Sequence, residues 1–121
     1  MKSFGSFFKE CRLRNGEGLR EFCVQHGYDP GNISKLERGL LPPPDARAKL
    51  EQYAADLRLK EASPEWYEFF DLAAAGAGTM PAYMTSEEEV VARLPLLFRT
   101  IRNNGLDGKH MDALIEKIRS S

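Results

Sequence analysis

The residues of this chain that could perform chemistry begin with two cysteines and two histidines. Cys23 and His26 are three residues apart on a predicted helix, a spacing at which both side chains could bind one metal ion. Tetrahedral zinc needs four protein ligands in a structural site and three in a catalytic site, and the other candidates, Cys11 and His110, lie far apart. A Cys–His nucleophile also needs a third, orienting group, and none is evident. We therefore expect no metal, no cofactor and no enzymatic activity, and we assign Cys23 and His26 to core packing.

A second set of residues is suited to binding anions, because basic side chains are concentrated in the first half of the chain. Residues 1–60 contain 11 Lys and Arg against 8 Asp and Glu, whereas residues 61–121 contain 6 against 10. A basic first half could bind a polyanion such as nucleic acid, and the acidic second half would be repelled by one. The excess is small enough to be ordinary variation, so charge alone does not decide the partner.

Length and composition limit the class of protein. A chain of 121 residues supports one modest core, and seven Phe, four Tyr and one Trp in a 42% apolar composition argue against disorder. No apolar run approaches the roughly 18 residues of a membrane span. Two cysteines cannot build a disulfide framework, and no signal-peptide pattern follows Met1, so we expect a cytoplasmic protein.

The elements that must position these residues are helices. Apolar residues recur at helical spacing between segments rich in Gly, Pro and Asn, which predicts an all-α fold. The predicted helices cover about residues 3–14, 19–26, 30–38, 45–57, 63–75, 86–102 and 107–119. Residues 79–85 are predicted to form a loop, and Pro95 is predicted to break its helix at Arg93–Leu94 because proline lacks a backbone donor. We expect a domain over 1–60 and a helical extension over 61–121.

The second and third predicted helices are joined by a turn of three residues, Gly27-Tyr28-Asp29. Glycine is typical of the end of a helix, and aspartate followed by proline is typical of a helix start. Two short helices connected in this way form a helix-turn-helix. In that motif the second helix lies in the DNA major groove and the first braces it across the backbone.

The residues around this turn resemble the Xre family of phage-repressor and Cro-like DNA-binding domains. The resemblance is carried by LREFC (19–23), Gly27 and ISKLERG (33–39), and it extends from residue 3 to about residue 59. It implies a helical bundle like that of the lambda repressor, of the five-helix type. It also implies a prokaryotic or phage protein that binds double-stranded operator DNA as a homodimer.

The resemblance also implies roles for individual residues. The recognition helix would run from Pro30 to about Arg38, and its base-facing residues would be Gly31, Asn32, Ser34 and Lys35. Asn32 could bind adenine and Lys35 guanine, because their side chains match those base edges.

Further roles concern the DNA backbone and the structure of the domain. Contacts to phosphate would come from Leu19, through its backbone N–H, and from Arg20, Arg38 and Arg14. Arg12 would form a structural ion pair with Glu37 that holds the first helix to the end of the third.

Three residues depart from the family pattern. Leu19 stands where relatives usually have a polar residue that binds phosphate, and Pro30 and Gly31 stand where relatives often have base-reading side chains. Direct readout would therefore depend on few residues, chiefly Asn32 and Lys35. We expect modest affinity for each half-site, so that dimerisation is needed for useful binding.

The second half of the chain carries two apolar clusters. Either these residues are buried by neighbouring helices or they form a dimer or partner surface. The residues predicted for that surface are Trp66, Phe69, Phe70, Leu96, Leu97 and Phe98. The layout is similar to small repressors and antitoxins of prokaryotic operons, which bind a toxin or a zinc metallopeptidase. The expected function is transcriptional repression of the protein's own operator, and the alternative is an antitoxin-like module whose C-terminal half binds such a protein partner.

Overall fold

A computed structural model describes residues 2–120 of the chain, and all regular structure within this range is α-helical. The prediction of an all-α fold is confirmed. The helices are α1 (Phe4–Arg14), α2 (Leu19–His26), α3 (Pro30–Glu37), α4 (Arg47–Asp56), α5 (Pro64–Ala77), α6 (Ala82–Thr85), α7 (Glu88–Asn104) and α8 (Gly108–Arg119). None of these helices is both long enough and apolar enough to cross a membrane.

The chain divides into two compact units, the first ending at Tyr83 and the second beginning at Met84. The division therefore lies more than twenty residues beyond the boundary expected near residue 60. The difference arises because α5 packs against α1, where the rings of Phe4 and Phe69 are 5.0 Å apart. The first unit is consequently larger than the segment that carries the family resemblance.

Aromatic side chains form the centre of the first unit. Phe8 of α1 makes edge-to-face contacts with Phe22 of α2, at 5.7 Å between ring centroids, and with Tyr53 of α4, at 5.3 Å. Such geometry suits the ring quadrupoles, and full burial of one such side chain stabilises the fold by roughly 1.5–3 kcal/mol. α1 is thus held by helices on more than one side.

Three of the expected surface residues are instead part of this core. Trp66 is 9% exposed, Phe69 0% and Phe70 1%. The prediction that these three residues belong to a dimer or partner surface is therefore wrong. They lie within an arc of roughly 100° on one face of α5, where Phe69 contacts Phe4 of α1 and Trp66 lies beside Phe70 and near Tyr83. Because this face of α5 is covered within the first unit, these three side chains are not available to a partner.

Local capping explains where half of the helices of the described chain begin. The Asp29 carboxylate accepts a hydrogen bond from the backbone N–H of Asn32 at 2.9 Å, and Ser63 does the same for Trp66 at 3.2 Å. Each cap is followed by a proline at the first helical position, as expected from the sequence. A side-chain cap of this kind is worth about 1 kcal/mol.

The predicted break at Pro95 is wrong, because α7 continues through this residue. Proline removes only the hydrogen bond that would reach the carbonyl of Val91, and the helix continues on both sides of it. The helix also begins later than expected, with Glu87 rather than Ser86 at its N-cap, and the loop predicted over 79–85 contains α6.

The second unit consists mainly of α7 and α8, which pack against each other. Among the described residues from 84 to 120, none is fully buried. Four apolar side chains of α7 and α8 are half-buried, namely Leu94, Ile101, Met111 and Leu114. Their helical spacing places two of them on one side of each helix, which marks the contact between α7 and α8.

Candidate nucleic-acid interface

The turn between α2 and α3 is built by glycine and by a half-buried tyrosine. Gly27 has φ of +77°, a conformation that glycine adopts without strain, and its N–H and that of Tyr28 both donate to the Cys23 carbonyl, at 2.8 and 2.9 Å. The Tyr28 ring lies against Tyr53 at 5.2 Å, and its hydroxyl donates to Asp56 of α4. Through Tyr28, the turn is therefore held against the core.

α3 has one buried side and one exposed side. Ile33 and Leu36 are 2% and 5% exposed and belong to the core. The residues predicted to contact DNA from this helix lie on the other side: Gly31, Asn32, Lys35 and Arg38 are exposed, and Ser34 is half-buried. At 100° per residue they span an arc of roughly 160°. The helix thus presents a continuous polar surface to solvent.

Two basic groups lie along this exposed arc. Lys35 belongs to the last turn of α3, and Arg38 follows it as the C-cap, with its Nε donating to the Ser34 carbonyl at 3.3 Å. The Asp29 carboxylate, which caps α3, places a negative charge at the N-terminus of the helix. The basic charge of the surface is therefore concentrated at the C-terminal end of α3.

The N-terminus of α2 presents backbone donors rather than a long polar side chain. Its N-cap is Gly18, which has no side chain to occupy the N–H groups of the first turn. The Leu19 side chain packs against the core and Arg20 is exposed, so at Leu19 only the backbone N–H remains available to an anion. Glu21 accepts a hydrogen bond from the Gly18 N–H at 3.5 Å and adds a negative charge to this turn.

Arg14, which was expected to contact phosphate, is engaged elsewhere. Its Nη1 donates to the Glu65 carboxylate of α5 at 2.8 Å, and its Nη2 donates to the Cys11 sulfur at 3.3 Å. The hydrogen bond to Glu65 raises the arginine's pKa, so the group keeps its charge and its partner neutralises it. Arg14 also lines a cavity of about 120 Å³ whose other lining residues come from α1, from the segment after α4 and from α5, and none comes from α3.

Arg12 and Glu37 form a bidentate ion pair, the pair that the resemblance implies. Nε and Nη2 of Arg12 donate to the two carboxylate oxygens at 2.8 and 2.9 Å, and the side chains are only 4% and 5% exposed. A third N–H group of Arg12 donates to the Glu17 carbonyl at 2.9 Å. The hydrogen bonds to Glu37 raise the pKa of Arg12. The pair fixes the end of α3 to α1 and to the loop before α2.

A glycine contact that sequence reasoning missed brings the same two helices together. A Cβ added at Gly5 of α1 would lie 2.3 Å from the Leu36 carbonyl oxygen and 2.6 Å from that of Glu37. Only glycine permits this approach of backbone to backbone. The sequence did contain a signal, namely a buried-face glycine within an otherwise regular helix.

His26 and Cys23, considered above as metal ligands, have separate surroundings. The His26 ring lies between two acids, 3.2 Å from Asp56 and 3.8 Å from Glu17, whereas Cys23 is buried in the core. The two acids are distant from His26 in sequence, so spacing could not reveal them. Within residues 2–120, no group of three or more His, Cys, Asp or Glu side chains is arranged to hold a metal ion.

Comparison with known proteins found no relative of this chain. No protein-family model matches the chain, no curated protein matches it, and no solved structure matches it.

Proposed function

We propose that this protein is a sequence-specific DNA-binding transcriptional repressor that acts by occupying its own operator. The observation that carries the proposal is the exposed polar arc of α3, a helix that is held to the first unit by the Arg12–Glu37 pair and by the contact of Tyr28 with Tyr53. An α-helix of this kind fits the major groove, where base edges present distinct donor and acceptor patterns.

In the proposed complex, α3 reads the bases. The Asn32 amide donates to and accepts from adenine, and Lys35 donates to the acceptors of guanine. Ser34 lies beside them, and Gly31 lets the backbone approach the groove closely. Because these groups are few, two half-sites occupied by a homodimer supply the affinity.

Backbone contacts orient the helix. The exposed Arg38 and Arg20 bind phosphates on either side of the groove, and the N–H groups at Leu19 bind a third through the N-terminus of α2. Arg14 does not belong to this set, since Glu65 occupies it.

The proposal is tested by titrating the protein against its own upstream DNA and against an unrelated duplex at several salt concentrations. We expect the upstream fragment to bind about a thousandfold more tightly, with affinity falling steeply as salt rises. Asn32→Ala should reduce affinity for the specific fragment alone by roughly 1–3 kcal/mol. The double change Lys35→Ala and Arg38→Ala should weaken binding by a few kcal/mol and flatten the salt dependence.

Lys109→Ala is the control, because it removes one exposed positive charge from the second unit. It should leave specific binding unchanged. Equal and weak binding to both duplexes, or full operator affinity in the folded Lys35→Ala, Arg38→Ala protein, would refute the docking of α3.

A second candidate, an antitoxin-like module that binds a toxin or metallopeptidase, is favoured by exposed apolar residues of α7. Leu96, Leu97 and Phe98 are 61%, 42% and 50% exposed. The candidate loses the α5 part of its expected surface, because Trp66, Phe69 and Phe70 are buried. Co-purification of a neighbouring gene's product without binding to upstream DNA would favour this candidate over the repressor.

A further inference from the structure

The second unit leaves apolar side chains uncovered. Val91 and Phe98 of α7 and Ile115 of α8 are 43%, 50% and 43% exposed, although α7 and α8 pack together. Burial of such a side chain stabilises a fold by roughly 1.5–3 kcal/mol, and a pair of helices with a single seam cannot supply that burial by itself. The two helices therefore have the form of half of a helix bundle.

The exposed side of α7 has a regular pattern. Glu88, Val91, Pro95, Phe98 and Arg102 are all exposed and follow one another at intervals of three, four, three and four residues. This spacing places them in one straight stripe along the helix, as in a coiled-coil seam. We call these five residues the α7 stripe.

The three apolar residues named as a surface from the sequence do not share this stripe. Phe98 belongs to it, whereas Leu96, two residues away, is about 160° around the helix from Phe98. Leu97 is about 100° around the helix from Phe98 and also lies outside the stripe. A partner that covers Phe98 therefore leaves Leu96 in solvent.

The α7 stripe is complementary to itself when reversed. Glu88 is at its N-terminal end and Arg102 is at its C-terminal end. Val91 lies between Glu88 and the central Pro95, and Phe98 lies between Pro95 and Arg102. Neither Glu88 nor Arg102 forms an ion pair with another residue in the described part of the chain. In an antiparallel pair of α7 helices, Glu88 meets Arg102 twice and Val91 meets Phe98 twice. A parallel pair would instead place Glu88 against Glu88.

We propose that a second copy of this chain covers the α7 stripe, with the two α7 helices antiparallel and a two-fold axis passing near Pro95. The interface is isologous, as expected for a symmetric dimer. With 17 residues, α7 is about 25 Å long.

The biological role of this dimer rests on the proposed function, but its existence does not. Oligomeric state is therefore measured without DNA, so that failure of the dimer and failure of operator binding are separate results. The charge pairs provide the sharpest test, because each can be reversed without changing the apolar residues.

The experiment measures the dissociation constant of the full-length protein by sedimentation equilibrium, for Glu88→Arg, for Arg102→Glu and for an equimolar mixture of the two. Each single variant should dimerise about tenfold more weakly than the original chain, because it sets like charges against each other twice. The mixture should regain the original affinity, because in a heterodimer both contacts again join an acid and a base.

Glu89→Arg is the matched control, since it makes the same charge change in the same turn of α7 but lies about 100° around the helix from Glu88. It should leave the dissociation constant unchanged, and circular dichroism should show equal helix content in all variants. A monomeric original chain would overturn the proposal and leave the stripe to a different protein. Failure of the mixture to regain affinity, or an equal effect of Glu89→Arg, would also overturn it.

Discussion

At the scale of single residues, the Arg12–Glu37 ion pair is a charged contact that lies in the interior and joins α1 to the end of α3. Both side chains are buried, and every carboxylate oxygen and most guanidinium N–H groups have a partner. Placing two ions in the interior is expensive in free energy, and only this complete set of hydrogen bonds offsets it. Removing one partner leaves the other charged and desolvated.

Arg12→Met should therefore lower the free energy of unfolding by roughly 3–5 kcal/mol. The double change Arg12→Met, Glu37→Met should cost less than Arg12→Met alone, because it leaves no buried charge. Urea unfolding followed by the fluorescence of Trp66, the single tryptophan, measures both. Arg47→Ala, which breaks the exposed pair with Glu51, should cost no more than about 0.5 kcal/mol. Equal losses in Arg12→Met and Arg47→Ala would show that burial of the first pair has no energetic consequence.

At the scale of elements, the helices begin and end for local reasons and pack for distant ones. The caps of α3 and α5 join a residue to another three positions away, so they are visible in the sequence. The approach of α1 to the end of α3 depends instead on Gly5 and on carbonyls more than thirty residues further along. That contact positions α3, and with it the proposed base-reading arc.

Gly5→Ala should destabilise the protein, although alanine usually favours a helix over glycine by about 1 kcal/mol. The new methyl group would overlap two carbonyl oxygens of α3, so α1 must move away, at a cost of roughly 1–3 kcal/mol. Chemical unfolding provides the measurement. Gly108→Ala is the matched control, because nothing lies within 4 Å of the added Cβ and the helical backbone accepts alanine. If Gly5→Ala proved as stable as Gly108→Ala, the close contact between α1 and α3 would be ruled out.

At the scale of the whole molecule, several weak acids of the first unit are held in their neutral forms. Burial raises the pKa of Cys11 and Cys23 above their ordinary 9.0, and burial followed by the hydrogen bond to Asp56 raises that of Tyr28 above 10.0. The folded chain therefore keeps protons that the unfolded chain releases at alkaline pH. This contribution is fully present below the unfolded pKa values and is lost as pH rises through the folded ones.

The free energy of unfolding should accordingly fall as pH rises above about 9, with a steeper fall above about 10 where unfolded tyrosines ionise. Urea unfolding at several pH values from neutral to alkaline measures this slope. Tyr28→Phe should reduce the slope above pH 10, because it removes one of the shifted groups. A stability that stays constant through the alkaline range would mean that these side chains are accessible to water in the folded state.

The sequence by itself determined that the segments of α1 to α5 and of α8 are helical, where the caps of α3 and α5 lie, and that Ile33 and Leu36 face the core. Those features depend on residues within one or two turns of each other, so spacing and capping chemistry reveal them. The Arg12–Glu37 pair became visible through resemblance, not through spacing.

Only the tertiary structure decided that Trp66, Phe69 and Phe70 are buried, that Arg14 is held by Glu65, and that the first unit extends to Tyr83. The burial of Phe69 and the ion pair of Arg14 depend on α5 packing against α1, whose residues lie some fifty to sixty-five positions earlier in the chain. An amphipathic pattern shows that a face must be covered, but the covering element is selected by the shape and charge of distant helices.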